Sequence, residues 1–340
     1  MEGFKEGTGI RPVKLLLPVD VATRLDEAVL NNLGGFGDRH SLAAAAIDEY
    51  LIDLVYANRP AEQMVLVQSR APIVETRSSD AADPAAMALP AVEAVERGVS
   101  IEDTASQIVD APMLGLHNRD WPSFWALGVL AEVAAAGAVP SRSFMAEVTK
   151  RAWLVADQVI DHLGRKAAAL LPTNREKVQS AEAAFHSFAV ASISRRVSPE
   201  GKATVSGPLP LWRAMALTSD GNELCVGVTD YGWDLLESMA GLTPMAPHPR
   251  EAATSFFGYL RERSDADWWG FDTMLRLLNE SPTREKYLAG FTSAREWTGS
   301  VASSAAQGYL ARGREWGVVE PKIIDGRYHL TDFGTEVTGA

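Results

Sequence analysis

The chain has one cysteine, Cys225, in 340 residues. A lone thiol excludes an internal disulfide and any cysteine-rich zinc site. Its neighbours Leu224 and Val226 make it a buried strand residue by expectation. Apolar runs are short, and none approaches the roughly eighteen residues a membrane-spanning helix needs. No basic segment followed by an apolar one opens the chain, so the expectation is a cytoplasmic protein without membrane contact. No Gly-rich loop ending in Lys-Ser or Lys-Thr is present, which leaves nucleotide hydrolysis without a phosphate cradle. The six histidines, His40, His117, His162, His186, His248 and His329, are scattered, and no two are four apart. Asp161-His162 and Asp265-x-Asp267 read as helix-end features rather than a catalytic couple or a metal pair. No catalytic residue, cofactor or metal is assigned, and the expectation is a protein that is not an enzyme. Cations are also in short supply: 32 Lys and Arg face 44 Asp and Glu, for a net charge of −12. That balance excludes a nonspecific polybasic nucleic-acid binder, while leaving room for a few cations grouped on one face.

What is present is globular, with 46% hydrophobic residues and length for two or three domains. The opening residues read as a loose arm. Val13 to Leu17 is then a short β-prone run stopped by Pro18, which has no N–H to donate. Asp20 is a candidate N-cap for a helix carrying Val21, Leu25, Ala28 and Val29 on one side. Glycines at 34, 35 and 37 end it, and Asp38 opens a second helix with Leu42, Ala46, Ile47, Leu51 and Leu54 on its apolar face. A unit this small buries too little on its own and calls for a second copy.

Strand, helix, Gly turn and helix over 11–57 resemble the ribbon-helix-helix family, the fold of the Arc repressor. That resemblance implies a homodimer whose paired strands form a two-stranded ribbon in the major groove of DNA. The outward strand residues would be Pro12, Lys14 and Leu16 with Arg11 at the edge, so Arg11 and Lys14 are the candidate DNA contacts. Arg39 and Ser41 fall where the second helix would hold a phosphate. The apolar outward residues depart from the family's polar triplet, so the unit reads alternatively as a dimer clasp.

Within 58–112, residues 61–112 carry three basic residues, Arg70, Arg77 and Arg97, against nine acidic ones. The expectation is an acidic linker, flexible over 74–91 and with one or two short helices over 91–109, and a possible landing place for a protein partner. From Trp121 the apolar density rises. Helices are expected from Trp121 to about Gly137, from Ser141 to about Leu163, and from Arg175 to Arg195. Leu217 to Thr229 then reads as two strands around an Asp-Gly turn, followed by a helix to Met239. Val318 to Thr331 repeats that pattern after a helix over 300–314. Val228-Thr229-Asp230-Tyr231-Gly232 and Leu330-Thr331-Asp332-Phe333-Gly334 form an internal echo.

Helices followed by a hairpin that ends in Leu-Thr-x-x-Gly resemble winged-helix domains, closely over 291–337 and loosely over 121–239. That resemblance implies a recognition helix presenting Ser303, Ser304, Gln307, Arg312 and Arg314 to the major groove, where Arg suits guanine and Gln suits adenine. Lys322 and Arg327 on the wing would neutralise phosphates. The expected fold is mainly α with small β elements: a ribbon-helix-helix head at 11–57, the linker, a helical domain with a winged-helix-like hairpin at 113–245, and a winged-helix domain at 246–340. The expected function is a homodimeric DNA-binding protein, a transcriptional regulator such as a repressor, or a DNA-organising factor at the nucleoid. Family association points to a plasmid, phage or other mobile element. The competing expectation is a dimeric scaffold whose acidic body binds proteins.

Overall fold

The computed structural model describes residues 89–102, 106–108, 117–197, 203–221, 223–295 and 299–339. The chain divides into two compact units, Met1–Ala81 and Ala82–Ala340, and every described residue belongs to the second. The ribbon-helix-helix expectation and the contacts assigned to Arg11, Lys14, Arg39 and Ser41 lie outside the described residues.

The described chain is mainly helical with two small sheets. Helix α1, Trp121–Val133, starts with Pro122 in its first turn, where a missing N–H costs nothing. It is buried on nearly all sides. Strand β2, Val139–Pro140, leads into α2, Ser141–Leu163, which buries Phe144, Val148, Ala152, Val155 and Val159 at helical spacing. An inserted segment follows. It holds α3, Val178–Phe185, a π turn at His186–Val190, and β3, Ser192–Val197. The single helix expected over 175–195 is therefore shorter and gives way to a strand. The Ser192-Ile193-Ser194 backbone pairs antiparallel with β4, Ala203–Ser206, which pairs on its other side in parallel with β1, Ser106–Ile108.

The one-turn helix α4, Pro208–Leu211, opens the hairpin of β5, Met215–Asp220, and β6, Glu223–Val228. Strand β2 pairs with β6, so the sheet order is β2-β6-β5. Cys225 lies buried on β6, as its neighbours suggested, and burial pushes its thiol pKa up. Helix α5, Asp230–Met239, closes this first half. Helix α6, Arg250–Arg263, leads to the second: α7, Asp265–Leu278, α8, Arg284–Ser293, α9, Gly299–Glu315, a hairpin, and α10, Asp332–Gly339. That hairpin is held by bridges Val319 to Leu330 and Ile324 to Arg327, and Thr283 at the head of α8 bridges to Arg327.

The two halves repeat one arrangement bond for bond. The Trp212 amide donates four residues back to Pro208 O, and Trp316 does the same to Arg312 O. Arg213 and Gly317 follow with positive φ of 55° and 70°. Ala214 and Val318 each donate five residues back, to Leu209 O and Gly313 O, and each accepts from a threonine amide, Thr229 or Thr331. The hydroxyl of Thr229 donates to Arg213 O and that of Thr331 to Gly317 O. Each hydroxyl also accepts from the amide three residues on, Gly232 or Gly334, at 3.0 Å, which caps the next helix. Both glycines lie so close to a carbonyl, Ala214 O or Val318 O, that a Cβ would overlap it. The sequence echo is thus a structural one.

The expected boundary at 245/246 falls inside a shared core. Phe256 of α6 lies 5.2 Å from Trp212 and 4.8 Å from Trp316, so an aromatic from the connecting helix fills the space between the repeated tryptophans. The segment 89–102 departs from the expected flexible linker and short helices: it is extended and bound to the body. Val92 is buried and exchanges backbone hydrogen bonds with Leu242 and Gly241, Val99 donates to Ala135 O, and Ile101 donates to Val228 O. Pro90 and Gly98 disfavour helix there, and Gly98 sits against the backbone of Ala135 where any Cβ would collide.

Candidate nucleic-acid interface

Helix α9 has two faces of different character. Ser303, Ser304, Gln307, Ala311 and Arg314 follow one another along one side and are partly exposed, while Ala302, Ala305, Ala306, Tyr309, Leu310, Arg312 and Glu315 are buried. Four residues expected on a recognition surface, Ser303, Ser304, Gln307 and Arg314, share the outer side. Arg314 is steadied by donation from Nε to Glu320 O at 3.3 Å and by its position over the Tyr328 ring. The Gln307 side-chain nitrogen is buried and has no hydrogen-bond partner.

Lys322 and Arg327 are exposed on the second hairpin, as expected. Asp325 and Gly326 form its two-residue turn with φ of 49° and 72°, the left-handed pair that suits a tight hairpin. Arg327 is anchored by Nη1 to Ser281 O at 2.9 Å. This places it beside Thr283, whose hydroxyl accepts from Lys286 N at 3.4 Å and opens α8 with Arg284 and Lys286 exposed. Acidic groups share the neighbourhood: Glu285 in the first turn of α8 and Asp325 at the hairpin turn are also exposed.

Arg312 departs from its expected place. It is fully buried on the opposite side of α9 and grips two aspartates at once. Its Nε donates to both oxygens of Asp120, at 2.8 and 3.0 Å, while Nη1 and Nη2 form a fork to Asp267 at 2.6 and 2.7 Å. A planar guanidinium with five donors is the side chain that can satisfy two carboxylates in this way. Burial would lower its pKa, but the two carboxylates outweigh burial and hold it protonated.

The clasp around Arg312 joins the halves reciprocally. Trp212 of the first half donates Nε1 to Asp267 of the second at 2.9 Å, and Trp316 of the second donates to Asp120 of the first at 2.6 Å. Tyr309 adds a hydroxyl to Asp267 at 2.9 Å. Asp120, just before α1, and Asp267, in the first turn of α7, open the same string, Asp-Trp-x-x-Phe, and each Phe joins the aromatic core. Burial tends to raise the Asp120 pKa, yet the charge on Arg312 and the His117 hydrogen bond bring it below the usual carboxylate range.

Glu315 extends the network. Its carboxylate accepts from the backbone of Asp120 at 2.6 Å and of Trp121 at 3.3 Å, and from Arg119 Nε at 3.1 Å. An acid at the end of its own helix is poorly placed for that dipole, but here it faces the positive N-terminus of α1 and satisfies amides left over there. Burial would raise its pKa; Arg119 and the nearby His248 overcome this and hold it at about 2. His248 Nε2 lies 3.2 Å from Glu315 without hydrogen-bond alignment. The other ring, His117, presents Nε2 to Asp120 at 2.7 Å and Nδ1 to Phe188 O, so both ring nitrogens face oxygens. The cluster is closed to solvent, and its chemistry is that of a structural joint.

Sequence reasoning missed this joint. The available signals were the repeated Asp-Trp-x-x-Phe string and the tryptophan that precedes the left-handed residue ahead of each hairpin. Asp267 does not serve as the helix cap expected of it. The other predicted helix-end pair is ordinary: His162 is exposed, with Nδ1 against Gln158 O at 2.7 Å. Among the described residues no group of three His, Cys, Asp or Glu is placed to hold a metal ion, and no helix is long and apolar enough to cross a membrane.

Comparison with known proteins adds no identity, since no family model, no curated protein and no solved structure matches this chain.

Proposed function

We propose that this chain is a DNA-binding protein, working as a homodimer through its first residues, and that its second half is the part that meets a duplex. It is read as a transcriptional regulator or DNA-organising factor. The observation that carries the reading is the outer side of α9, with Ser303, Ser304, Gln307 and Arg314, lying next to a hairpin that presents Lys322 and Arg327. Both halves are read as winged-helix units. In the first half β2, which follows α1 and precedes α2, pairs with β6, the last strand of the hairpin.

Immediately before the hairpin, only the second half has a helix long enough to enter a major groove. Its α9 has 17 residues, whereas the equivalent α4 has 4, buried and of sequence Pro-Leu-Pro-Leu. In this reading the α9 side chains contact base edges, and Lys322, Arg327, Arg284 and Lys286 contact phosphates. A gel-shift series in salt tests it. Log affinity for a duplex should fall linearly with log salt, and replacing Lys322 and Arg327 with Ala should reduce that slope by about two. No shift at any salt would sink the reading.

One observation favours a second reading, a scaffold that binds proteins. The first hairpin ends in exposed acids, Asp220 and Glu223, on a chain of net charge −12. It predicts no duplex shift under any condition, with loss of partner capture when Asp220 and Glu223 become Ser.

A further inference from the structure

The tip of the second hairpin combines features that neither the base contacts of α9 nor simple phosphate neutralisation uses. Residues 321–327 are all exposed, and Ile323 and Ile324 leave 50% and 47% of their surfaces in solvent. Exposing two adjacent isoleucines costs solvation, which makes the pair the feature to explain. The backbone beneath them is fixed: Ile324 and Arg327 exchange amide-to-carbonyl hydrogen bonds of 3.0 and 2.9 Å across the two-residue turn, and Arg327 is tied to Ser281. Lys322 and Arg327 stand on opposite strands, one on either side of the isoleucines. The first hairpin, built on the same plan, has no such pair and carries Asp220 and Glu223 at its tip.

We propose that this tip is a wedge for the minor groove of a duplex, with Ile323 and Ile324 entering between base pairs while Lys322 and Arg327 meet the phosphate rows on either side. The proposal rests on the duplex-binding reading above and adds to it a deformation of the partner. Charge complementarity carries the choice of occupant: two cations flank an apolar tip, and a groove offers two anionic rails around stacked base edges. A protein partner fits less well, because two side chains fall far short of the area a stable protein interface buries. Asp325 lies at the turn itself, where the left-handed backbone is required, and its carboxylate must remain in solvent when the isoleucines enter. Apolar wedges of this kind kink a duplex by about 20 to 90°.

The test uses the full chain and a mixed-sequence duplex carrying a donor dye at one end and an acceptor at the other. Binding of the native chain should raise energy transfer as the duplex bends. The double variant Ile323→Ser, Ile324→Ser should bind within about threefold of native affinity, since most retained contacts go to phosphate, and should leave transfer at the value of the free duplex. The double variant Lys322→Ala, Arg327→Ala should instead lose affinity with a shallower salt dependence. Unchanged transfer on binding of the native chain, or full bending by the isoleucine variant, would overturn the wedge while leaving duplex binding intact. Failure of the native chain to bind any duplex would overturn both. Isoleucine-dependent sedimentation with vesicles containing phosphatidylserine, in place of duplex bending, would assign the tip to a lipid surface and also overturn the proposal.

Discussion

The two halves of the body share a scaffold and differ in what they show to solvent. Each has a helix bearing Asp-Trp-x-x-Phe, a tryptophan followed by a left-handed residue, a hairpin, and a threonine that ties the hairpin to the next helix. In the second half the helix before the tryptophan runs for 17 residues and keeps a small polar outer side; in the first it is cut to its last turn. Backbone hydrogen bonds and one buried aspartate in each half are alike where the halves hold each other, whereas Arg312 and Glu315 stand where the first half has Pro208 and Leu211. Side chains have diverged where they face water. The joint therefore fixes how the halves fit, and the surfaces are free to specialise.

The largest blow to this comparison should come from Arg312→Ala. It leaves Asp120 and Asp267 buried without their cation and is expected to cost about 3 to 5 kcal/mol in urea unfolding. Arg314→Ala and Arg327→Ala, at partly or fully exposed sites, should stay within about 0.5 kcal/mol. Equal losses for all three would place Arg312 at the surface. Acid should act on the same joint. Glu315, held at about 2, and Asp120, held below its usual value, are ionised in the fold; the unfolded chain takes up these protons near pH 4. Stability they contribute is thus present above about pH 4 and lost as pH falls toward about 2. A Glu315→Gln variant should show a flatter decline in thermal midpoint over that range.

Smaller effects sharpen the symmetry itself. Trp212→Phe and Trp316→Phe each remove one indole donor from a buried carboxylate and should cost about 2 kcal/mol apiece. Because both aspartates share Arg312, the double variant should deviate from additivity in calorimetric unfolding; strict additivity would separate the two ends of the joint. Thr229→Val and Thr331→Val each delete a cap that also ties back to the start of a hairpin. Losses of about 1 kcal/mol, similar in the two halves, are expected from chemical denaturation. A loss in one half alone would show that the repeat is formal rather than energetic.

Much of this body was legible in the sequence. Helices at 121 and 141, both hairpins, the helix before the second hairpin and the buried Cys225 follow from local signals: Pro in a first turn, periodic apolar residues, turn chemistry; in the first hairpin, though, Asp220 pairs with Glu223 and the turn begins at Gly221. The Thr-x-x-Gly echo was also visible, and it marked real caps. Arg312 was misplaced because local sequence does not show which side of α9 faces inward when that side carries an arginine; its partners lie 192 and 45 residues away. The extended course of 89–102 was missed for a related reason, since its hydrogen-bond partners are loops and strand ends remote in sequence. Long-range pairing of polar groups leaves little local trace, whereas turn and helix signals are local by nature.

The most direct measurement of the central claim is amide hydrogen exchange on the full chain, with and without a saturating duplex. The account predicts slower exchange along the outer side of α9 and over the second hairpin, residues 318–331, with residues 215–228 of the first hairpin unchanged. Protection of the first hairpin instead of the second, or unchanged exchange in α9 with duplex bound, would contradict it.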